Sequence, residues 1–327
     1  LVPISEQNRA STTWLLSDGF AGNRRQARAL ARALELPAHS PTLTPAAPWR
    51  WFAPRRLPGD TQAFGRAFAD ALASPPSLAI GCGRQGALAT RLLRERGARA
   101  IQILDPRLDP RHWDLVVAPE HDGVRGDNVI TLNGSLHPVD DIWLEAGRQA
   151  FAAFAALPQP RIALLVGGPT RHARWDAAAF ERLLAQLDAQ LHREGGSLLS
   201  TASRRTPPAI AAALQRLAGT HPGTIWDGQG LNPYAGLLGW ADAIVCTPDS
   251  VNMLSEACAT RVPVHVLDPQ LADGRLRRFV DALAAADRIR ATDGALASFP
   301  VAPLRETARV AAEIRRRLSL PGRRVED

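Results

Sequence analysis

A chain of 327 residues that is 46% hydrophobic exceeds what one hydrophobic core usually holds and supplies material for two. All 39 Lys+Arg positions are arginine, a signature of GC-rich base composition that also excludes a lysine nucleophile, a Schiff base and a P-loop lysine. The formal charge of +7 and pI near 10.8 favour acidic partners such as nucleotide diphosphates, phosphorylated glycolipids or anionic membrane surfaces, whereas 6% aromatic residues and no recognised groove-reading or single-strand module argue against nucleic acid.

Short apolar runs alternate with longer amphipathic ones, the pattern of parallel sheets wrapped by helices. Residues 13–17 read as the first strand, and the helix after it places Ala27, Leu30, Ala31 and Leu34 on one face. The connecting loop contains Asp18, Gly19 and Asn23. Its glycines permit backbone approach to a ligand, while Asp18 and Asn23 suit a turn or a helix cap as well as a catalytic role. Further strands are expected at 78–81, 100–104 and 114–118. Arg84 follows the first of them, Asp105 the second, and Glu120, His121 and Asp122 the third. Three ionisable side chains in one turn are costly to hold together unless solvated or used, and His121 could shuttle protons near neutral pH.

A Pro-bounded break at 157–160 then precedes a restart of the alternation. It divides the chain into an N-terminal domain, 1–156, and a C-terminal domain, 161–327, whose final helix is free to return to the first. Strands are expected at 161–166, 198–201, 224–227, 243–247 and 264–267, with a helix carrying Phe180, Leu183, Leu184, Leu187 and Leu191 on one stripe. Gly167 and Gly168 end the first of these strands in a turn suited to approach a phosphate. The segment 243–267 reads strand, capped helix start, helix, turn, strand. Asp249 or Ser250 caps a helix over 250–259, whose exposed N–H groups and positive dipole end make an anion site. Glu256 lies two turns further on and is expected to be solvent-accessible. Cys82, Cys246 and Cys258 are odd in number and widely spaced, which points to buried reduced thiols rather than disulfides or a zinc site. The opening residues lack the pattern of a signal peptide and no run reaches the length of a membrane span, so a cytoplasmic location is expected, at most peripheral to the inner membrane face. The arginines at 315–317, 323 and 324 would aid docking on anionic lipid.

The segment around Asp249 and Glu256 resembles the donor-binding helix of MurG-like GT-B glycosyltransferases, where a Ser-rich turn meets a diphosphate and a glutamate seven residues later binds ribose. The blocks DGFAGN, GCGRQ, QILDPR, PEHDG, VGGPTRH, TASRRTPP and TPDSVNMLSEA together resemble the bacterial branch of the mitochondrial fission Elm family. The resemblance implies an α/β fold of two Rossmann-like domains facing a cleft. It further implies transfer of a sugar from a nucleotide-diphosphate donor to a glycan or lipid-linked acceptor in cell-envelope biosynthesis, or alternatively a non-catalytic adaptor or a nucleotide-sugar epimerase. Donor contacts are expected from Gly167, Gly168, Thr170, Ser203, Arg204, Thr247, Asp249, Ser250 and Glu256. Gly19, Asn23, Arg84, Asp105 and Asp122 would lie on the acceptor side. Asp18 would be the catalytic base, with His121 and Glu120 as competitors, because the histidine of the MurG loop is missing here. No cofactor and no metal is expected, since a helix N-terminus and arginines can neutralise the diphosphate.

Overall fold

The computed structural model describes residues 13–203, 205–292 and 296–320. The chain folds as two units, one formed by Leu1–His137 with Glu306–Asp327 and the other by Pro138–Arg305. In the first unit, β1 (Thr13–Ser17), β2 (Ala38–His39), β3 (Leu78–Cys82), β4 (Arg99–Ile103), β5 (Leu115–Pro119) and β6 (Val129–Leu132) form a sheet in the order β2-β1-β3-β4-β5-β6. Every pairing in it is parallel. β3 and β5 are buried at every residue, which is why they read as continuous apolar runs rather than alternating ones. Helices α1 (Ala21–Ala33) and α2 (Gly83–Arg94) follow β1 and β3 directly, and the direction of winding reverses between those two strands.

The second unit repeats the plan with β7 (Arg161–Val166), β8 (Ser197–Ala202), β9 (Gly223–Trp226), β10 (Ala243–Cys246), β11 (Val264–Val266) and β12 (Ile289–Ala291). Their order is β12-β11-β10-β7-β8-β9, again all parallel. Helices α3 (Asp141–Ala150), α4 (Ala177–Glu194), α5 (Pro208–Ala218), α6 (Tyr234–Trp240), α7 (Val251–Cys258) and α8 (Gly274–Ala285) belong to this unit. Here winding reverses between β7 and β10. In such sheets ligands sit outside the carboxyl ends of the strands at the reversal.

All nine strands expected from the sequence are present. β2, β6 and β12 were not anticipated: they lie at sheet edges, and their short, partly exposed sequences offer no apolar run to detect. The three cysteines are buried and free. Burial pushes all three thiols up, Cys258 to about 12, so none is a reactive thiolate. No helix among the described residues is long and apolar enough to cross a membrane.

The domain boundary falls at His137/Pro138, upstream of the Pro-rich break at 157–160. The reason is close packing of α3 on α6. A Cβ on Gly147 would overlap the backbone of Ala235, and one on Gly236 would overlap the ring of Phe151. Arg148 donates to the Gly239 carbonyl and Trp240 Nε1 to that of Arg148, both at 3.2 Å. Asp141, at the start of α3, is held by Arg261 at 2.9 Å and Arg305 at 2.8 Å. These two guanidinium partners, Arg305 foremost, keep its carboxyl well below the usual range. The segment before the Pro-rich break is thereby tied to the sheet that follows it. The final helix, α9 (Thr307–Leu318), belongs to the first unit. Its buried Val310, Ala311 and Ile314 join the core formed by Ala27, Leu30 and Ile130, as an amphipathic helix must to cover its apolar stripe.

Gly147→Ala is expected to destabilise by about 1–3 kcal/mol, the usual cost of overpacking, whereas Gly219→Ala, whose added Cβ meets nothing closer than 3.4 Å, should be neutral or slightly stabilising. Denaturant unfolding of both variants checks this; equal behaviour would mean that the α3–α6 contact does not depend on the glycine.

Candidate functional site

At the reversal point of the second sheet, three strand ends are joined through one carboxylate. The side chain of Asp249 has no solvent exposure. Its Oδ1 accepts from Thr247 Oγ1 at 2.7 Å and from Trp175 Nε1 at 3.3 Å. Its Oδ2 accepts from the Gly168 backbone N–H at 3.1 Å and from Arg205 Nη2 at 2.9 Å. Thr247 Oγ1 in turn accepts from the Gly167 N–H at 2.8 Å. A buried carboxylate is tolerated only when its lone pairs are so occupied, and each charge-assisted bond contributes about 1.5–3 kcal/mol.

Gly167 and Gly168 are required by this geometry, since a Cβ on the first would overlap the Asp249 carboxylate and one on the second the Arg205 backbone. The loop after β8 closes against the same turn. Ser203 N donates to Val166 O at 2.9 Å, Thr206 Oγ1 donates to Gly167 O at 2.5 Å, and Ser203 Oγ accepts from Arg205 N at 3.1 Å. Next to this network α7 begins, capped by Ser250, whose Oγ accepts from Met253 N at 3.3 Å.

Several residues expected to touch a donor therefore have other work. The N–H groups of Gly167 and Gly168, the Thr247 hydroxyl and the Asp249 carboxylate are spent inside the network and form a buried scaffold. Asp249 does not cap α7; Ser250 does. Ser203 shapes its own turn, and the Thr170 hydroxyl accepts from His172 N at 3.2 Å. Arg204 lies outside the described residues. Glu256 is 3% exposed rather than solvent-accessible, because α7 packs into the core through Leu254, Ala257 and Cys258 and buries Ser255 with it. Beside the network, residues 250–253 at the start of α7 are partly exposed and the Arg205 guanidinium is half-exposed. Sequence reading missed Trp175, Arg205 and Thr206. It also missed the pair His172 Nδ1–Asp273 Oδ1 at 2.8 Å, beside a bridge from Ala173 to Ala272 that ties the loop after β7 to the segment before α8. The doubled arginine and the Pro-flanked threonine in TASRRTPP were the available signals.

In the first unit, Asp18 and Asn23 meet at the end of β1, with Asn23 Nδ2 donating to Asp18 Oδ1 at 2.8 Å. Gly83, at φ 80°, lies so close that a Cβ there would overlap both. Burial pushes the Asp18 carboxyl up, and the Asn23 amide and Phe20 N–H offset this only in part. A cavity of about 180 Å³ adjoins it, lined among others by Asp18, Gly19, Arg24, Arg28, Thr42 and Gln85. Arg84 braces the neighbouring loop, donating to Ala53 O at 2.8 Å and Trp51 O at 2.7 Å. Asp105 pairs with Arg107 at 3.1 Å in its own turn. Glu120, His121 and Asp122 form a turn of 3₁₀ helix after β5, in which Glu120 is exposed and bound to Arg125 at 2.7 Å. β5 lies three strand positions from β1, or about 14 Å at ~4.8 Å per spacing. Asp18 and the Glu120–Asp122 turn are thus not parts of one proton-transfer constellation. The arginines of α9 are also paired: Arg316 and Arg317 with Glu313, and Arg315 with Glu35. Arg316 foremost lowers the Glu313 carboxyl to about 2. Arg323 and Arg324 lie outside the described residues.

Asp249→Ala is expected to cost about 3–5 kcal/mol, the usual penalty for removing one side of a buried charged network, with Arg205→Ala costing far less because that side chain is half exposed. Chemical denaturation of the two variants checks the ranking.

The profile of the family described as Mitochondrial fission ELM1 matches residues 21–318. The mitochondrial fission protein ELM1 of Arabidopsis thaliana is 31% identical over 278 residues, covering 76% of this chain and 65% of that protein. An uncharacterized protein of Rickettsia prowazekii is 22% identical, covering 60% and 65%; the chain thus spans just under two thirds of the length of both relatives. Among solved structures, a UDP-GlcNAc 2-epimerase from Neisseria meningitidis bound to UDP-GlcNAc superposes with a TM-score of 0.55 at 12% identity, covering 95% of this chain and 92% of that one. A UDP-GlcNAc 2-epimerase from Methanocaldococcus jannaschii gives 0.55 at 13% identity, covering 93% and 92%. At such identities the likeness establishes the fold, which is α/β of the GT-B type with two Rossmann-like units. By the extent of the family match and the 31% identity to its plant member, the chain belongs to the mitochondrial fission ELM1 family.

Proposed function

We propose that this protein is a glycosyltransferase that moves a sugar from a nucleotide-diphosphate donor, bound by the second unit, to a glycan or lipid-linked acceptor of the cell envelope. The observation that carries the reading is the Asp249 network at the reversal point of the second sheet. It locks the loops after β7, β8 and β10 beside the start of α7, where the positive end of the helix dipole and Arg205 suit a diphosphate. The UDP-GlcNAc held by the Neisseria structure supports a nucleotide sugar as the ligand class. With cationic and dipolar groups supplied by the protein, the leaving diphosphate is stabilised without a metal at this site.

Asp18 is the base in this reading. It directly follows β1 beside a cavity of mixed polar and apolar lining, and burial raises its pKa towards the range in which a carboxylate is an effective proton acceptor. Glu256 binds the ribose from within α7; because it is buried, the conservative Glu256→Gln is the informative change. Loss of a charge-assisted bond should weaken nucleoside diphosphate binding about tenfold or more with the fold retained by circular dichroism, and unchanged affinity would remove Glu256 from the donor site.

A second reading, epimerisation of the nucleotide sugar, is favoured by the epimerase neighbours, and a non-catalytic binding role by the plant relative. Incubation with a panel of nucleotide sugars separates the three. Glycosyl transfer requires added acceptor, epimerisation proceeds without one, and an adaptor binds with no turnover. For transfer, Asp18→Asn should lower turnover by about 10²–10⁴-fold with donor affinity nearly unchanged.

The same variant carries a stability signature. A carboxyl whose pKa is raised on folding contributes most below its unfolded pKa, and that contribution is lost as pH rises through the folded value. Relative to Asp18→Asn, the wild type should therefore lose Tm as pH increases from below the ordinary carboxylate range towards neutrality. A Tm difference that stays constant with pH would show that Asp18 is not desolvated in solution.

A further inference from the structure

The opposite end of the second sheet holds a constellation that the donor site does not use. Asp188 and His192 are one turn apart on the last turns of α4, and His221 lies just before β9. His221 Nε2 is 2.7 Å from Asp188 Oδ1, and His192 Nδ1 is 3.2 Å from the same oxygen. The two imidazoles pack edge to face with centroids 4.6 Å apart. One ligand atom from each residue lies within 4.8 Å of the other two, and this is the metal-capable group of histidine, cysteine and carboxylate found among the described residues.

We propose that Asp188, His192 and His221 bind one divalent transition-metal ion, Zn²⁺ foremost, which staples the end of α4 to the connection entering β9. Three features support it. First, a tetrahedral zinc site with bonds of about 2.0–2.1 Å spaces its ligand atoms by roughly 3.3 Å, and the two separations to Asp188 Oδ1, 2.7 and 3.2 Å, fall just short of that value, so a small side-chain movement opens the set to it. Second, the site combines a rigid and an adjustable ligand. The His221 side chain is 5% exposed, whereas His192 is 62% exposed and can turn about its side-chain torsions to close the set. Third, the ion would sit at the carboxyl end of an 18-residue helix, where the dipole favours a cation. Two imidazoles and a carboxylate suit zinc by donor type, leave a fourth position to solvent, and bind more copper than zinc when both are offered. Each ligating ring nitrogen must be free of its proton, so metal binding competes with protons and weakens in acid.

This site lies at the amino ends of β8 and β9, whereas the Asp249 network lies at the carboxyl ends. The six residues of β8 put about 20 Å between the two, so the proposal stands apart from the glycosyl-transfer reading and its test needs no turnover.

The full chain, stripped with EDTA and dialysed, is titrated with Zn²⁺ by calorimetry and with Co²⁺ by visible absorption. The expected result is one ion per chain and a Co²⁺ spectrum of tetrahedral type without sulfur charge transfer. The Tm should rise with Zn²⁺, since an ion bound only by the native state stabilises it by mass action. His192→Ala, at an exposed position that tolerates truncation, should weaken Zn²⁺ binding by at least the 10–100-fold typical of losing a mere supporting partner, and Asp188→Asn likewise. Wild-type affinity in both variants would overturn the proposal, as would a Co²⁺ spectrum with thiolate bands or no bound ion at micromolar Zn²⁺.

Discussion

The buried carboxylate of Asp249 is the interaction on which the second unit's functional end depends. Four donors from four segments converge on it: a hydroxyl from the end of β10, an indole from the segment before α4, a backbone N–H from the turn after β7, and a guanidinium from the loop after β8. None of these segments is regular structure, and loops alone would not hold fixed positions. Gathering them on one desolvated charge makes their relative placement a single cooperative feature, because breaking any bond strands a buried polar group. The start of α7 and the outer face of Arg205, both beside the network, are held in place as a result.

The first unit reaches a comparable end by different means. There the loops after β1 and β3 touch through Gly83 against the Asp18–Asn23 pair, and Arg84 and Gln85 extend the contact by gripping backbone carbonyls of residues 50, 51 and 53. The carboxylate at the centre has one side-chain donor and a partly open cavity rather than four donors and complete burial. A buried acid with all its lone pairs occupied holds loops together; a partly desolvated one with fewer donors has its pKa raised, as burial does for Asp18. Asp249, after β10, and Asp18, after β1, thus stand in different surroundings: the first is enclosed by four donors, whereas the second borders a cavity.

Family membership and fold point in different directions about activity. The plant relative is named for mitochondrial fission, whereas the structural neighbours include UDP-GlcNAc 2-epimerases. A shared fold does not carry a shared reaction, so the residues at the strand ends must distinguish between the readings.

Much of the architecture was legible from the order of residues alone. Central strands such as β3, β5, β7 and β10 are apolar on both faces because helices cover both, and that necessity is written into each run regardless of distant partners. The glycine pairs, the helix-capping serine and the family blocks are equally local signals. Three kinds of information were not local. The domain boundary depended on Gly147 and Gly236 letting α3 and α6 approach, a contact between segments almost 90 residues apart in the chain. The burial of Glu256 depended on what packs over α7, which helical periodicity cannot report for a residue flanked by small side chains. The assignment of Asp249 as hub rather than ligand depended on donors from Trp175, Gly168 and Arg205, far apart in sequence and joined only when β7, β8 and β10 pair side by side. Strand and helix formation is decided by near neighbours; whether a polar side chain faces a ligand or is consumed by the protein is decided by desolvation, and only the tertiary structure sets that.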